Sequence, residues 1–355
     1  MIKNFKLKKI VTILISIFLF TGCSNMDANE KLKRTETSEQ NIETTDFKSE
    51  SVSGEDNKIT VTDATDNNDN VTAISTGVNL VSTKNMPIAS DKLEYKGENM
   101  EYGAVLTNNN DYGVEYTFMI MVNGLPQPFT IKEDGRECNY KTYSMNAGEE
   151  KIVYFSFKPV EVHHDKDVLV SLIGVVVKKK ISQSVAGAMM NSTVTDYNIL
   201  MVANDAKYDI INDNKDNVVG NVIEKYNTTD KNTAGTCLLS DKKEDHISIN
   251  KIRIDELKPE NVKMYYASEN SKNTRLYVLN NGKLLNTFNK KLYGDVKSDE
   301  SAVYEIEIDK DEFDKNINKC CILSINMDYI DKGIKEGVEA IGGIAGLSYM
   351  QILSK

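Results

Sequence analysis

From about Thr76 onward the chain alternates apolar and polar side chains with a period of two. Val114, Tyr116, Phe118, Ile120 and Val122 interleave with Glu115, Thr117, Met119 and Met121, the pattern of a half-buried strand. Asn123-Gly124 follows, the pair a type I′ turn prefers. The chain returns over Pro126 to Ile131, and Pro126 and Pro128 confine that return to an edge or bulged strand, because proline cannot donate to a ladder. Asn146-Ala147-Gly148-Glu149 then introduces Ile152 to Phe157, with Val153, Phe155 and Phe157 on one face. Asp167 to Val177 is apolar at nearly every position, as a central strand covered on both sides would be. Short strands with turn signals between them, and no long helical pattern, predict an all-β sandwich.

The pattern occurs twice. Gly77 to Ser82 resembles Gly235 to Ser240, and Glu98-Asn99-Met100 resembles Glu260-Asn261-Val262. Asn123-Gly124 matches Asn281-Gly282, and Ile152-Val153-Tyr154 matches Ala302-Val303-Tyr304. Asp167 to Ser171 falls opposite Lys319 to Leu323, and Tyr197 to Met201 opposite Tyr349 to Leu353. The offsets stay between about 150 and 162 and the matches keep one order, which predicts an internal repeat of one β-domain. The expected division is 76–202 for the first sandwich, 203–233 for a polar linker or excursion, and 234–355 for the second. This register sets Cys320 and Cys321 in the places of Val168 and Leu169, as small core hydrophobes.

Ahead of the sandwiches, residues 23–75 form a tether rich in Ser, Thr, Asp, Glu and Asn, without a periodic apolar pattern. Such a segment buries too little apolar surface to offset its conformational entropy and is expected to be disordered. About 50 flexible residues span roughly 40 Å by the random-coil rule. Residues 1–22 begin with Lys3, Lys6, Lys8 and Lys9 and continue as an apolar run from Ile10 to Phe20. That run is too short for a membrane-spanning helix, which needs roughly 20 residues, and fits a cleaved signal peptide. Its end, Leu19-Phe20-Thr21-Gly22-Cys23, resembles the lipobox of Gram-positive-type bacterial lipoproteins, although Phe20 stands where that family usually has Leu. The resemblance implies that Cys23 receives a diacylglyceryl group, with palmitate-type chains, and becomes the mature N-terminus.

A second resemblance covers about 80 residues of the first unit. Leu106-Thr107-Asn108, Val114 to Gly124, and Ala147-Gly148-Glu149 before Val153 to Phe157 look like bacterial immunoglobulin-like (Ig-like) domains of the cell-adhesion-related kind. The second unit keeps the strands but has Lys297 to Ser301 in place of the Ala-Gly-Glu turn, and the core Trp of antibody domains is absent. The resemblance implies two tandem Ig-like β-sandwich domains serving as an extracellular binding or spacer module, with no catalytic residue carried over.

Candidate chemistry changes this picture little. The formal net charge of -10 excludes a phosphate-neutralising nucleic-acid binder. His163-His164-Asp165 before Asp167 is read as a loop rather than a metal site, since adjacent histidines rarely ligate one ion. Asn212 to Asp216 has calcium-loop spacing, but Asn217 holds the glycine position and Ile223 the final ligand position. His246 has no nucleophile motif beside it. Cys138, Cys237, Cys320 and Cys321 form no Cys-x-x-Cys pair, and sequence leaves open a bridge from Cys237 to either neighbour. No catalytic residue, metal or cofactor is therefore expected. The apolar loops before the last strands, with Val185 and Met189 in one and Ile341, Ile344 and Leu347 in the other, are the expected partner contacts, against a reading in which they plug the sandwich ends. The chain reads as a membrane-anchored cell-surface lipoprotein on the extracytoplasmic face, binding a protein or envelope partner without catalysis. The alternatives are a structural or accessory lipoprotein that spaces an envelope complex, and a hydrolase whose site carries no recognised motif.

Overall fold

The computed structural model describes residues 73–88, 90–161, 167–180, 191–204, 206–210, 217–226, 237–240, 262–268, 272–313, 317–348 and 350–354. The predicted signal, Cys23 and nearly all of the tether lie outside these residues, as do Val185, Met189, His163, His164, His246 and Tyr349.

The alternating pattern of the first unit becomes β1 (Thr76–Val81), β2 (Lys92–Glu94), β3 (Met100–Asn108), β4 (Val114–Val122), β5 (Lys141–Met145), β6 (Glu150–Phe157), β7 (Asp167–Lys178) and β8 (Ser192–Val202). One sheet runs β1-β3-β6 and continues through Phe129–Ile131 to Glu137–Cys138. The facing sheet runs β2-β8-β7-β4, with β5 also paired to β4. Their inner faces enclose one core, in which Phe118, Phe129 and Phe155 meet at ring separations of 5.5 to 6.3 Å. The chain passes between the sheets repeatedly, and two of these crossings shape the edges. After β1 pairs antiparallel with β3, β2 pairs in parallel with β8. After Leu125–Pro126 pairs with β4 at the edge, Gln127 crosses over so that Phe129–Ile131 joins β6. Gln127 is buried at this crossing, and its backbone N–H donates to Ile120 (2.8 Å) while its side-chain oxygen accepts from Val160 N–H (2.8 Å). A buried crossing is tolerable because those polar groups are bonded.

The second unit forms β9 (Asn221–Lys225), β10 (Cys237–Ser240), β11 (Lys263–Ser268), β12 (Lys272–Asn280), β13 (Tyr293–Ser298), β14 (Ala302–Ile306), β15 (Ile317–Asn326), helix α1 (Met327–Glu336), β16 (Ala345–Leu347) and β17 (Gln351–Ser354). One sheet runs β9-β14-β11-β10; the other sets β13, β12 and β15 side by side, with β16 and β17 both on β15. The fold is therefore two tandem Ig-like β-sandwiches, with β1, β3, β4, β5, β6, β7 and β8 answered in order by β10, β11, β12, β13, β14, β15 and the β16–β17 pair. The Ala203 to Thr233 segment, expected as linker or excursion, supplies β9 to the second sandwich, and Asn217 and Val219 bond the backbone of Asp295.

Register agrees with the sequence matches at the Asn-Gly turns and in the last strand, where Leu200 pairs with Leu169 as Ile352 pairs with Lys319, and departs from them elsewhere. Asn123 donates its N–H to Leu169 O and accepts from Leu169 N–H, both at 2.9 Å. Asn281 does the same with Lys319, both at 3.1 Å. Leu169, not Asp167, thus corresponds to Lys319. Cys320 takes the place of Val170 in the core and Cys321 that of Ser171 on the opposite face, which corrects the expected equivalence with Val168 and Leu169. The match of Ile152 to Ala302 is slipped by one, since Val153 faces the first core while Ala302 and Tyr304 face the second. A period of two makes a one-residue slip a change of face.

In the first core Tyr116 spans the two sheets, its hydroxyl donating to Gly77 O on β1 at 2.9 Å. Its ring lies across Gly174 of β7, where a Cβ would stand 2.2 Å from the Tyr116 oxygen. Gly174→Ala should therefore overpack the core and cost about 1–3 kcal/mol, read as a lowered thermal midpoint of the full chain. An unchanged midpoint would mean that Tyr116 does not lie over β7.

Candidate functional site

The strand predicted to be covered on both sides is covered by the other sandwich. Val168, Val170, Leu172 and Val176 of β7 point into the first core, whereas Leu169, Ile173 and Val175 point outward. With Met119 and Met121 of β4 they meet Tyr277, Leu279, Leu323 and Ile325 from the outward faces of β12 and β15. The two sandwiches thus bury a third apolar layer between them, within the compact unit Lys58–Lys355.

Each Asn-Gly turn reaches across this junction. Asn123 and Gly124 have φ of 48° and 72°, and Asn281 and Gly282 have φ of 50° and 74°, so both are type I′ turns. Tyr277 Oη donates to Gly124 O at 2.5 Å. Reciprocally, Thr142 Oγ1 donates to Gly282 O at 3.0 Å, with Thr117 Oγ1 at 3.3 Å from the same oxygen. A Cβ at Gly282 would lie 3.0 Å from both threonine hydroxyls, and one at Gly124 would lie 2.8 Å from Ile330 Cδ1. Left-handed backbone and close approach require glycine at both tips.

At the positions matching Thr117 and Thr142, the second sandwich carries Arg275 and Asp295. Both are buried, at 7% and 5% exposure, and their fork-to-fork contact has N···O distances of 2.7 and 3.1 Å. Arg275 lies 4.3 Å from the centre of the Tyr293 ring. This pair was not visible as a site in the sequence. Opposite charges at matched cross-strand positions could have flagged it only once the register of β12 and β13 was known.

The loop expected to contact a partner is built into the junction instead. Asn326 caps α1 by accepting from Tyr329 N–H (3.1 Å), and Ile330 turns into the interlayer. Gly337, with φ 94°, ends the helix, and the chain returns through Ile341 to β16. Ile344 is 2% exposed in the interlayer; its N–H donates to Asp196 Oδ2 and its carbonyl accepts from Asn326 N–H, each at 2.9 Å. Ile341 and Leu347 are half-buried against the same cluster. Ile344 is therefore not an exposed contact, and the residues plug the space between the sandwiches rather than the end of one. For Ile344 the expectation of an exposed partner contact does not hold, because its side chain gains more by burial in the apolar layer between the sandwiches than by standing in water.

Among the described residues no group of three or more His, Cys, Asp or Glu is placed to hold a metal ion. Cys138, Cys237, Cys320 and Cys321 are not joined in disulfides, and burial pushes the Cys321 thiol up to about 12. No described helix is long and apolar enough to cross a membrane. The outward faces of the two remaining sheets differ. Tyr265, Ala267 and Val303 on the β11–β14 side are buried, whereas Val105, Ile152 and Tyr154 on the β3–β6 side are half-buried.

No protein-family model and no curated protein sequence matches the chain. Solved structures do. The CARDB domain of a Pyrococcus furiosus protein, in complex with di-metal ions, is 15% identical over 37% of this chain and 96% of its own, with a TM-score of 0.23. The Salmonella enterica SafA pilin in complex with the SafB chaperone is 10% identical over 78% and 96%, with a TM-score of 0.23. The Escherichia coli chaperone DraB is 8% identical over 80% and 100%, with a TM-score of 0.26. The fold assignment here rests on strand order.

Two outcomes follow from the junction. Ile344→Asp should bury an unpaired carboxylate and lower stability by about 3 kcal/mol or more, with a large fall in melting temperature. Normal melting of that variant would place Ile344 in solvent. The second concerns pH. Burial raises the Tyr277 hydroxyl above its ordinary 10.0, and burial likewise pushes Tyr266 to about 12. A phenol whose folded pKa lies above its unfolded one stabilises the fold fully below the unfolded value, and that stability is lost as pH rises through the folded value. Urea midpoints should hold to about pH 10 and then fall together with the rise of phenolate absorbance. Phenolate appearing well before the midpoint moves would contradict this.

Proposed function

We propose that this chain is a lipid-anchored binding protein of the extracytoplasmic membrane face, which recognises a protein or cell-envelope partner without catalysis. The observation that carries the reading is the asymmetry of the outward sheets. Across β3 and β6, Val105 stands opposite Ile152 and Gly103 opposite Tyr154. Val81 covers the same glycine from β1, and the Tyr154 hydroxyl bonds Asn85 in the turn that carries Met86. Met86 is 64% exposed. A row of partly exposed apolar side chains ending in an exposed methionine is a surface for which a monomeric domain has no internal use. The loops before the last strands, the usual carriers of recognition, are not available in the second sandwich, because Ile344 and its neighbours fill the junction.

The anchor follows from Lys3 to Cys23. Two acyl chains on one cysteine give stable attachment where a single chain binds marginally. The tether would then hold the sandwiches off the membrane at an average span of roughly 40 Å, with the β1-β3-β6 face free to meet a partner.

The test is made in whole cells. Cys23→Ala should abolish incorporation of labelled fatty acid and release the chain from membranes. Crosslinked capture from envelopes should be lost in Ile152→Glu and in Val105→Glu, while thermal melting of both stays near wild type. Labelling that persists in Cys23→Ala would remove the anchor, and capture that survives both charge substitutions would remove the proposed face. Capture lost on release from the membrane, but insensitive to those charges, would favour a structural role in spacing an envelope complex.

A further inference from the structure

We infer that Asn281-Gly282 is a site of spontaneous backbone modification, by loss of ammonia from Asn281, and that its conversion loosens the junction between the sandwiches. The chain carries the same dipeptide at two equivalent turns, and docking fixes both members of each. Gly282 has φ 74° and no room for a Cβ beside Thr117 and Thr142. Asn281 has φ 50°, which asparagine tolerates better than most residues, and its side-chain oxygen accepts from Lys319 N–H. Neither residue can be exchanged without cost to the turn, so the labile pair is retained by the architecture.

The step needs only water. The Gly282 backbone nitrogen gives its proton to solvent base and bonds to the side-chain carbonyl carbon of Asn281. The Cγ–Nδ2 bond breaks, ammonia leaves, and a five-membered imide remains. Water then adds to one of its two carbonyl carbons. Addition at Cγ restores the normal peptide link as aspartate; addition at the main-chain carbon leaves the chain running through the side chain as isoaspartate. Aspartate can still accept from Lys319 N–H. Isoaspartate inserts a methylene before Gly282 and carries its carbonyl away from Thr142 and Thr117, which hold it at 3.0 and 3.3 Å.

The two turns differ in how readily they leave the left-handed geometry that keeps nitrogen and side chain apart. Asn123 is 7% exposed and its two bonds to Leu169 are both 2.9 Å; beyond it Gly124 is wedged under Ile330, Met327 and Ile325. Asn281 is exposed and its bonds to Lys319 are both 3.1 Å. Local opening is easier where fewer buried contacts must be broken. Conversion is therefore selective for Asn281.

The experiment incubates the full chain at mildly alkaline pH and follows both peptides by mass spectrometry, with enzymatic methylation as the probe for isoaspartate. Asn281 should convert several-fold faster than Asn123, and Thr142→Val should speed Asn281 further while leaving Asn123 unchanged. Hydrogen exchange on the aged protein should show lost protection at β4 and β12. Equal rates at the two sites, faster conversion of Asn123, or an intact Asn281 after prolonged incubation would each overturn the proposal.

Discussion

A type I′ turn requires positive φ at both central residues and presents its glycine carbonyl beyond the end of the hairpin. Ordinarily water satisfies that oxygen. Here the two equivalent hairpins end inside a junction, and each carbonyl takes its donor from the opposite sandwich: Tyr277 for Gly124, Thr142 for Gly282. The magnitudes assign these bonds their role. Each made bond is worth about 0.5–1.5 kcal/mol net, whereas an unmet buried carbonyl costs about 1–3 kcal/mol. The apolar interlayer, at about 1.5–3 kcal/mol for each fully buried Leu, Ile or Met, supplies most of the attraction. The carbonyls decide which register of sheet on sheet is allowed, since a shifted docking would leave one of them dry and unpaired.

The junction is reciprocal without being symmetric. Thr117 and Thr142 share a hydroxyl contact of 3.1 Å where the second sandwich has the Arg275–Asp295 pair. A buried ion pair contributes little to stability over apolar residues of like volume, but breaking it strands a charge. Its effect is to make the two docking faces different. The threonine pair donates to a turn carbonyl, whereas Arg275 and Asp295 bond each other and leave Tyr277, two residues along β12, to donate to the other turn. A first-unit face meeting another first-unit face would lack the Tyr277 donor that Gly124 requires.

The sequence shows strand order, the Asn-Gly turns and the two-sided burial of β7 because each depends on local pattern. Val114 to Val122 alternates because one side meets Phe155 and the other meets the second sandwich, and methionine at 119 and 121 signals that the second side is apolar too. Register was legible at the Asn-Gly turns and the last strand but not in between, because matching short strands by residue type does not count the bulges and turn lengths that set the pleat. Helix α1 escaped for a related reason. Asn326, Asp328, Ile330 and Ile334 are ordinary helix signals, but Gly333 weakens the pattern. That glycine is a tertiary requirement, since a Cβ would stand 2.8 Å from Ile341 Cδ1. The misplaced partner loop has the same origin: apolar residues among glycines look alike whether a neighbouring sandwich or a foreign protein covers them.

What the proposed binding face could meet depends on how the other surfaces are used. The edge of the second sandwich offers β9, with Val218 and Val222 exposed, yet its pairing to β14 shifts register between Val222 and Glu224, and Glu224 and Lys225 follow at once. A bulge and charges on a short edge strand are the usual means of preventing strand addition. The edge beside β8 is closed by the short parallel strand β2, which carries Lys92 and Glu94. With edges blunted and Ile344 committed to the junction, the outward β1-β3-β6 face keeps Val105, Ile152 and Tyr154 partly exposed beside the exposed Met86. A flat sheet face cannot clasp a single extended peptide through main-chain bonds, because those bonds are already made within the sheet. It can bury side chains against a broad, complementary surface, and that geometry favours a folded partner over a linear motif.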